Sequence, residues 1–207
     1  MMKAQQYRRE INMKKIFMRT VSLFLAILMV SAVPQTCFGH YYGYGDELEA
    51  EWKYGNLDGN VCHPFTSAWA SSTLKEGDIT FHAGYAIDNK TKYQRPWVEG
   101  VRGSGIGETL ILYFDDEYCI GGLTFRLGYA RDQARYSKNN RPSELLISFS
   151  DGSYVDCWFE DINAEQSIII PDLVFTNSVE ITILDVYRGT QCDDTCIYQV
   201  KAYEMVG

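Results

Sequence analysis

The residues best able to do chemistry lie in short polar and glycine-rich clusters between apolar runs, mostly in the second half of the chain. They read Trp97-Val98-Glu99-Gly100, Gly103-Ser104-Gly105-Ile106-Gly107-Glu108, Gly128-Tyr129-Ala130, Tyr136-Ser137-Lys138-Asn139-Asn140-Arg141, Leu184 to Gly189, and Asp193-Asp194-Thr195-Cys196. A tyrosine ring packs on C–H-rich surface, an arginine offers a planar fork of donors, and an asparagine offers both a donor and an acceptor. Side by side on loops, these groups suit a polyol such as a sugar. The candidate ligand-binding residues are Tyr129, Tyr136, Asn139, Arg141, Tyr187 and Asp194. Asn139 and Arg141 are equally suited to tying down the long 128–143 connection, whose backbone groups need partners. Asp193-Asp194 can accept hydroxyl protons, hold a cation or solvate a turn. Trp97, beside Pro96, reads as a buried anchor as readily as a ligand platform.

Other chemistries find less support. Gly103, Gly105 and Gly107 suggest a phosphate loop, but no helix pattern and no Lys-Ser/Thr pair follows, so a structural turn into a strand is the expectation. Glycosidase chemistry needs two carboxylates at a defined separation, and nothing local selects such a pair. His40, His63 and His82 all lie in the N-terminal part without a nucleophile motif beside them. Cys62-His63 and Cys192-x3-Cys196 lack the second short-spaced pair that structural zinc sites use. The residues therefore predict a non-catalytic protein without a metal.

The elements that position the clusters are strands. Short apolar runs separated by turn residues cover Thr109 to Phe114, Cys119 to Leu127, Glu144 to Phe149, Ser153 to Phe159, Gln166 to Ile170, Ser178 to Tyr187 and Cys196 to Tyr203. That spacing predicts an all-β sandwich. Leu145, Ile147 and Phe149 alternate with Leu146 and Ser148, and Val179, Ile181 and Ile183 alternate with Glu180 and Thr182, so the first members should face the core. Asp151-Gly152 predicts a tight hairpin turn.

The N-terminus carries Lys14, Lys15 and Arg19, then an apolar run from Val21 to Val33, then Pro34 and Cys37-Phe38-Gly39. This pattern predicts a signal peptide over residues 1–39 and a secreted, periplasmic or cell-surface product beginning at His40, with no membrane insertion after cleavage. The Tyr- and Gly-rich stretch that follows is read as a leader over 40–64, leaving residues 65–207 as the globular domain. Six of the 19 basic and one of the 27 acidic residues fall in 1–39, so 13 basic and 26 acidic residues remain, a net of −13. Such a balance opposes nucleic-acid and anionic-membrane partners and favours neutral or cationic ones. Five cysteines remain, an odd number, with Cys192 and Cys196 spaced to staple the acidic loop between them.

The clusters, in this order and spacing, resemble the glycan-binding domain of bacterial NAD-glycohydrolase toxins, a branch of the discoidin or galactose-binding-like β-sandwiches. The likeness covers roughly residues 65–205. It implies a jelly-roll topology and a glycan or glycoconjugate as partner. It does not carry over NAD hydrolysis, which in the toxins belongs to a separate segment. Some relatives hold a structural Ca²⁺ where a turn near Asp88 meets the C-terminal strand. Here Asn89 replaces an expected Gly and Tyr198-Gln199 an expected Ser-Glu, which removes an anionic ligand and disfavours calcium. The alternatives are a protein-binding adhesion module on the same loops and a small secreted hydrolase.

Overall fold

The computed structural model describes residues 47–205 except 49, 56 and 89–93. The signal-peptide expectation falls outside these residues. Among the described residues the fold has eleven strands: β1 Glu51–Tyr54, β2 Val61–His63, β3 Ser67–Ala70, β4 Lys75–Glu76, β5 Ile79–Thr80, β6 Trp97–Val98, β7 Thr109–Leu127, β8 Arg141–Phe149, β9 Tyr154–Trp158, β10 Gln166–Tyr187 and β11 Cys196–Glu204. A short 3₁₀ turn spans Ala83–Ala86, and one helix, α1, spans Gln133–Lys138.

Two long strands organise the sandwich. The first part of β7 pairs with β3 and with the second part of β10, which pairs in turn with β8, and β8 with β9. The second part of β7 pairs with the first part of β10 and with β11, while β1 flanks β10 and both β2 and β6 flank β11. All these pairings are antiparallel. Each long strand thus serves two layers, and the register between them shifts at Ile169/Val174 and Thr176/Ser178, where a bulge lets a strand bend. The gaps between the apolar runs, 115–118 and 171–177, instead lie within the continuous strands β7 and β10, with Asp115, Asp116, Glu117 and Pro171 exposed.

The core lies between the layers. Leu145, Ile147, Phe149, Val179, Ile181 and Ile183 are all buried, as their alternation predicts, and they join Leu110, Leu112, Phe125, Ile168 and Val200 in one apolar cluster. Each fully buried side chain of this kind contributes about 1.5–3 kcal/mol. Asp151-Gly152 forms the expected hairpin between β8 and β9, with Gly152 at φ +89°. Residues 47–63, expected to belong to a leader, instead contribute β1 and β2 and bury Leu48 and Leu57. Their edge positions explain why they show little apolar alternation.

Candidate functional site

The glycine-rich segment is a structural turn, as expected: Gly103, Gly105 and Gly107 all have positive φ, and Gly107 N donates to Ile183 O at 2.8 Å. Trp97 is fully buried, and its indole nitrogen donates to Ser72 O at 3.1 Å, which makes it an anchor rather than a platform. From β6 the chain is held to the small β4–β5 hairpin. Leu74 N donates to Val98 O at 2.9 Å, Phe81 N to Leu74 O at 2.9 Å and Val98 N to Phe81 O at 3.2 Å. Gly77-Asp78 turns this hairpin, with Gly77 at φ +58°.

At the end of β7, Gly128 takes φ +74°, a turn that delivers Tyr129 to the surface. A Cβ at that position would press on the Tyr136 ring and on Arg141 Cβ. The chain then enters α1, capped by Asp132, whose carboxylate accepts from Arg135 N at 2.8 Å. In the sequence this stretch shows only as a connection, because six helical residues are too few to establish a period. Asn139 closes the helix, donating from Nδ2 to Arg135 O at 2.9 Å.

Asn140 is fully buried and joins this connection to the 189–196 loop. Its Nδ2 donates to Asp193 O at 2.6 Å, its Oδ1 accepts from Gly189 N at 2.7 Å, and its own backbone N donates to Asp194 O at 3.0 Å. The packing at Gly189 is tight enough that a Cβ would fall 2.2 Å from Lys138 O. Glu99, also fully buried, holds the same loop from below by accepting from Thr195 N at 3.1 Å.

These supports enclose a cleft of about 350 Å³ between α1 and the β4–β5 hairpin. Leu74, Phe81, Val98 and Tyr129 give it an apolar floor, with Phe81 and Tyr129 in an edge-to-face contact at 6.3 Å. Arg135, Lys138 and Asn139 line the helix wall, and Glu76 and Asp194 supply carboxylates. Burial first, then the charges of Asp193 and Glu76, hold the Asp194 carboxyl above its ordinary value. Arg135 lies over the Tyr129 ring at 5.7 Å and pairs with Asp132, so its charge is already engaged.

The six sequence candidates therefore divide. Tyr129, Asn139 and Asp194 line the cleft. Tyr136, Arg141 and Tyr187 stand behind it as braces. Tyr136 and Arg141 are buried; the Tyr136 hydroxyl donates to Asp161 at 3.0 Å, and Arg141 binds both Asp161 oxygens and the carbonyls of Asn139 and Arg188. Tyr187 donates its hydroxyl to Phe159 O at 2.9 Å. The Tyr136 phenol and the Arg141 guanidinium are thus engaged with Asp161 and with loop carbonyls rather than with the cleft. Sequence reasoning missed the opposite wall, Leu74, Glu76 and Phe81. The one local signal for it was the Gly77-Asp78 turn.

Two further expectations meet the structure here. Cys192 and Cys196 are not joined: Cys196 is buried against Phe81 and Val98, while Cys192 lines the cleft. At the turn where calcium was disfavoured, Gln199 Nε2 donates to Asp88 O at 2.9 Å.

A two-layer antiparallel sandwich with its polar cleft on the strand-end loops defines a galactose-binding-like, discoidin-type domain. A sequence profile of the NAD glycohydrolase translocation F5/8 type C domain matches residues 61–203, and the chain belongs to that family. Among solved structures, the CBM32-1 and CBM32-2 domains of Clostridium perfringens ZmpB in complex with GalNAc superpose with a TM-score of 0.61 at 11% identity, over 80% of this chain and 42% of theirs. This chain thus spans less than half of that two-domain structure. CBM32-3 from a family 31 glycoside hydrolase of Clostridium perfringens gives 0.52 at 12% identity, over 69% of this chain and 90% of that one. The family 32 module of Clostridium perfringens NanJ in complex with galactose gives 0.50 at 19% identity, over 67% and 93%. Identities this low make the likeness one of fold. No curated protein matches the chain.

Proposed function

We propose that this protein is an exported, non-catalytic glycan-binding module of the NAD glycohydrolase translocation type. The observation that carries the reading is the cleft itself, an apolar floor with one tyrosine beneath polar walls. A sugar ring places its C–H face on such a floor while its hydroxyls donate to carboxylates and accept from Lys138 and the Asn139 amide. Glu76 and Asp194 make no ion pair among the described residues, so both can accept. Two neighbours in fold were solved with GalNAc and with galactose, which supports a sugar of that class.

The placement of the two described histidines supports the non-catalytic reading. Neither His63 nor His82 lines the cleft; His63 binds Glu204 at 3.1 Å and His82 packs at a tilt against Tyr85, with ring centroids 3.9 Å apart. Export rests on the N-terminal sequence alone. A glycan array probed with the chain from residue 40 onward tests the function, with galactose- or GalNAc-terminated glycans expected to be retained. Retention of no glycan, together with capture of a defined protein ligand, would replace this reading with that of a protein-binding adhesion module.

A further inference from the structure

Glu99 is a fully buried acid that makes no ion pair among the described residues. Both of its carboxylate oxygens are used. Oε1 accepts from Thr195 N at 3.1 Å and Oε2 from Val101 N at 2.9 Å, while its backbone N donates to Thr195 O at 3.2 Å. The side chain packs directly on Gly105, where a Cβ would lie 2.4 Å from Glu99 Cγ. Thr195 Oγ1 in turn donates to Ser104 O at 2.8 Å, so Thr195 ties the acidic loop both to Glu99 and to the glycine-rich turn. Thr195 directly follows Asp194, whose side chain lines the cleft.

The charged and titratable groups facing Glu99 are Asp194, Glu108 and the Cys196 thiol, and none of them is a cation. Burying a charge without a cation is expensive, and a residue that brings such a cost into a fold needs a task to offset it. We propose that Glu99 is the positioning residue of the cleft and that its ionised form is the one that holds the Asp194 loop in register for a sugar; this rests on the glycan-binding reading above. A carboxylate can accept from two amides at once. Protonation turns one oxygen into a donor facing an N–H, so one of the two bonds must weaken. The transition falls in a relevant range: burial, opposed by the two amide bonds and reinforced by Asp194 and Glu108, pushes the Glu99 carboxyl up to about 7.

The test is calorimetric titration of the protein and its Glu99→Gln variant with GalNAc and with galactose from pH 5.5 to 8.5, alongside the ¹⁵N amide spectra of both. Wild-type affinity should fall about fivefold toward the acid end, the scale of one weakened charge-assisted hydrogen bond, and the variant should be flat at the weaker level. Without ligand, the Val101 and Thr195 amides should titrate together, and the variant should lose that titration. Glu99→Asp keeps the charge but is a methylene too short for both amides, so it should retain a pH response at one amide only. A pH profile that survives in Glu99→Gln, or amides of Val101 and Thr195 that do not titrate, overturns the proposal. Failure of both sugars to bind at any pH, with the two amides still titrating, would overturn the glycan reading and keep Glu99 as the residue that positions the loop.

Discussion

The Arg141 guanidinium grips both oxygens of Asp161, with Nε 2.7 Å from Oδ1, and the Tyr136 hydroxyl donates to that same Oδ1 at 3.0 Å. Arg141 also lies over the rings of Tyr136 and Tyr187 at 5.1 and 5.9 Å. One arginine therefore fastens the end of α1, the start of β8, the 159–165 connection and the 188–195 loop, and it does so from behind the cleft. Arg141→Ala should lower stability by about 2 kcal/mol, and Tyr136→Phe by about 1 kcal/mol. Denaturant titration checks both. The guanidinium holds the Asp161 carboxyl below its ordinary value of 3.8. Its contribution is thus complete above that value and is lost as pH falls through the lower folded-state pKa, so the Arg141→Ala penalty should shrink in acid. An undiminished penalty at pH 2 would separate the effect from the ion pair.

Glu99 has the opposite sign. Its folded-state carboxyl is raised from 4.5 to about 7, so the native protein binds this proton more tightly than the unfolded chain does. Stability should fall as pH rises from about 4.5 to 7, by an amount on the order of 3 kcal/mol. Subtracting the Glu99→Gln curve from the wild-type curve of unfolding free energy against pH isolates this slope. Parallel curves would show that Glu99 does not titrate in that window.

Two substitutions should separate folding from loop placement. Trp97→Ala empties a fully buried site and breaks the bond to Ser72 O, with an expected loss of about 3–5 kcal/mol. Gly189→Ala places a Cβ against Lys138 O and should cost about 1–3 kcal/mol through overpacking. Because Lys138 and Asn139 line the cleft, Gly189→Ala should also weaken sugar binding under conditions where it remains folded. Thermal melts and titration of the same samples read the two effects, and a Gly189→Ala protein with wild-type melting and affinity would contradict the packing argument.

The thiols give a further check. Cys62 is exposed and Cys192 half-exposed, whereas Cys157 and Cys196 are buried, and burial pushes the Cys157 thiol up to about 12. An alkylating reagent at pH 8 should label Cys62 and Cys192 in the native protein and reach Cys157 and Cys196 only after denaturation. Recovery of a Cys192–Cys196 disulfide from the protein kept under oxidising conditions would show that oxidation redraws this loop.

The parts of the fold legible in the sequence were those written in local pattern. Leu145, Ile147 and Phe149 and their counterparts Val179, Ile181 and Ile183 declared one buried face, and Asp151-Gly152 declared its hairpin. The two long strands were not legible as single elements, because a strand bending between layers turns Asp115 to Glu117 outward and breaks the alternation. Helix α1 is too short to establish a period, although Asp132 was present as a cap. The site was legible by residue type and not by partner. Tyr136 and Arg141 looked like ligand groups because nothing nearby in sequence reveals Asp161, and Glu76 meets Asp194 only through the folded sheet.

The most direct test of the account is a sugar titration followed by ¹⁵N amide spectroscopy with the backbone assigned. GalNAc should move resonances of Leu74, Glu76, Tyr129, Lys138, Asn139 and Asp194, and Tyr129→Ala should abolish those shifts while leaving the melting temperature close to wild type. Shifts confined to another surface, such as the exposed face carrying Trp69 and Tyr113, or a Tyr129→Ala protein that binds as the wild type does, would contradict the assignment of this cleft as the glycan site.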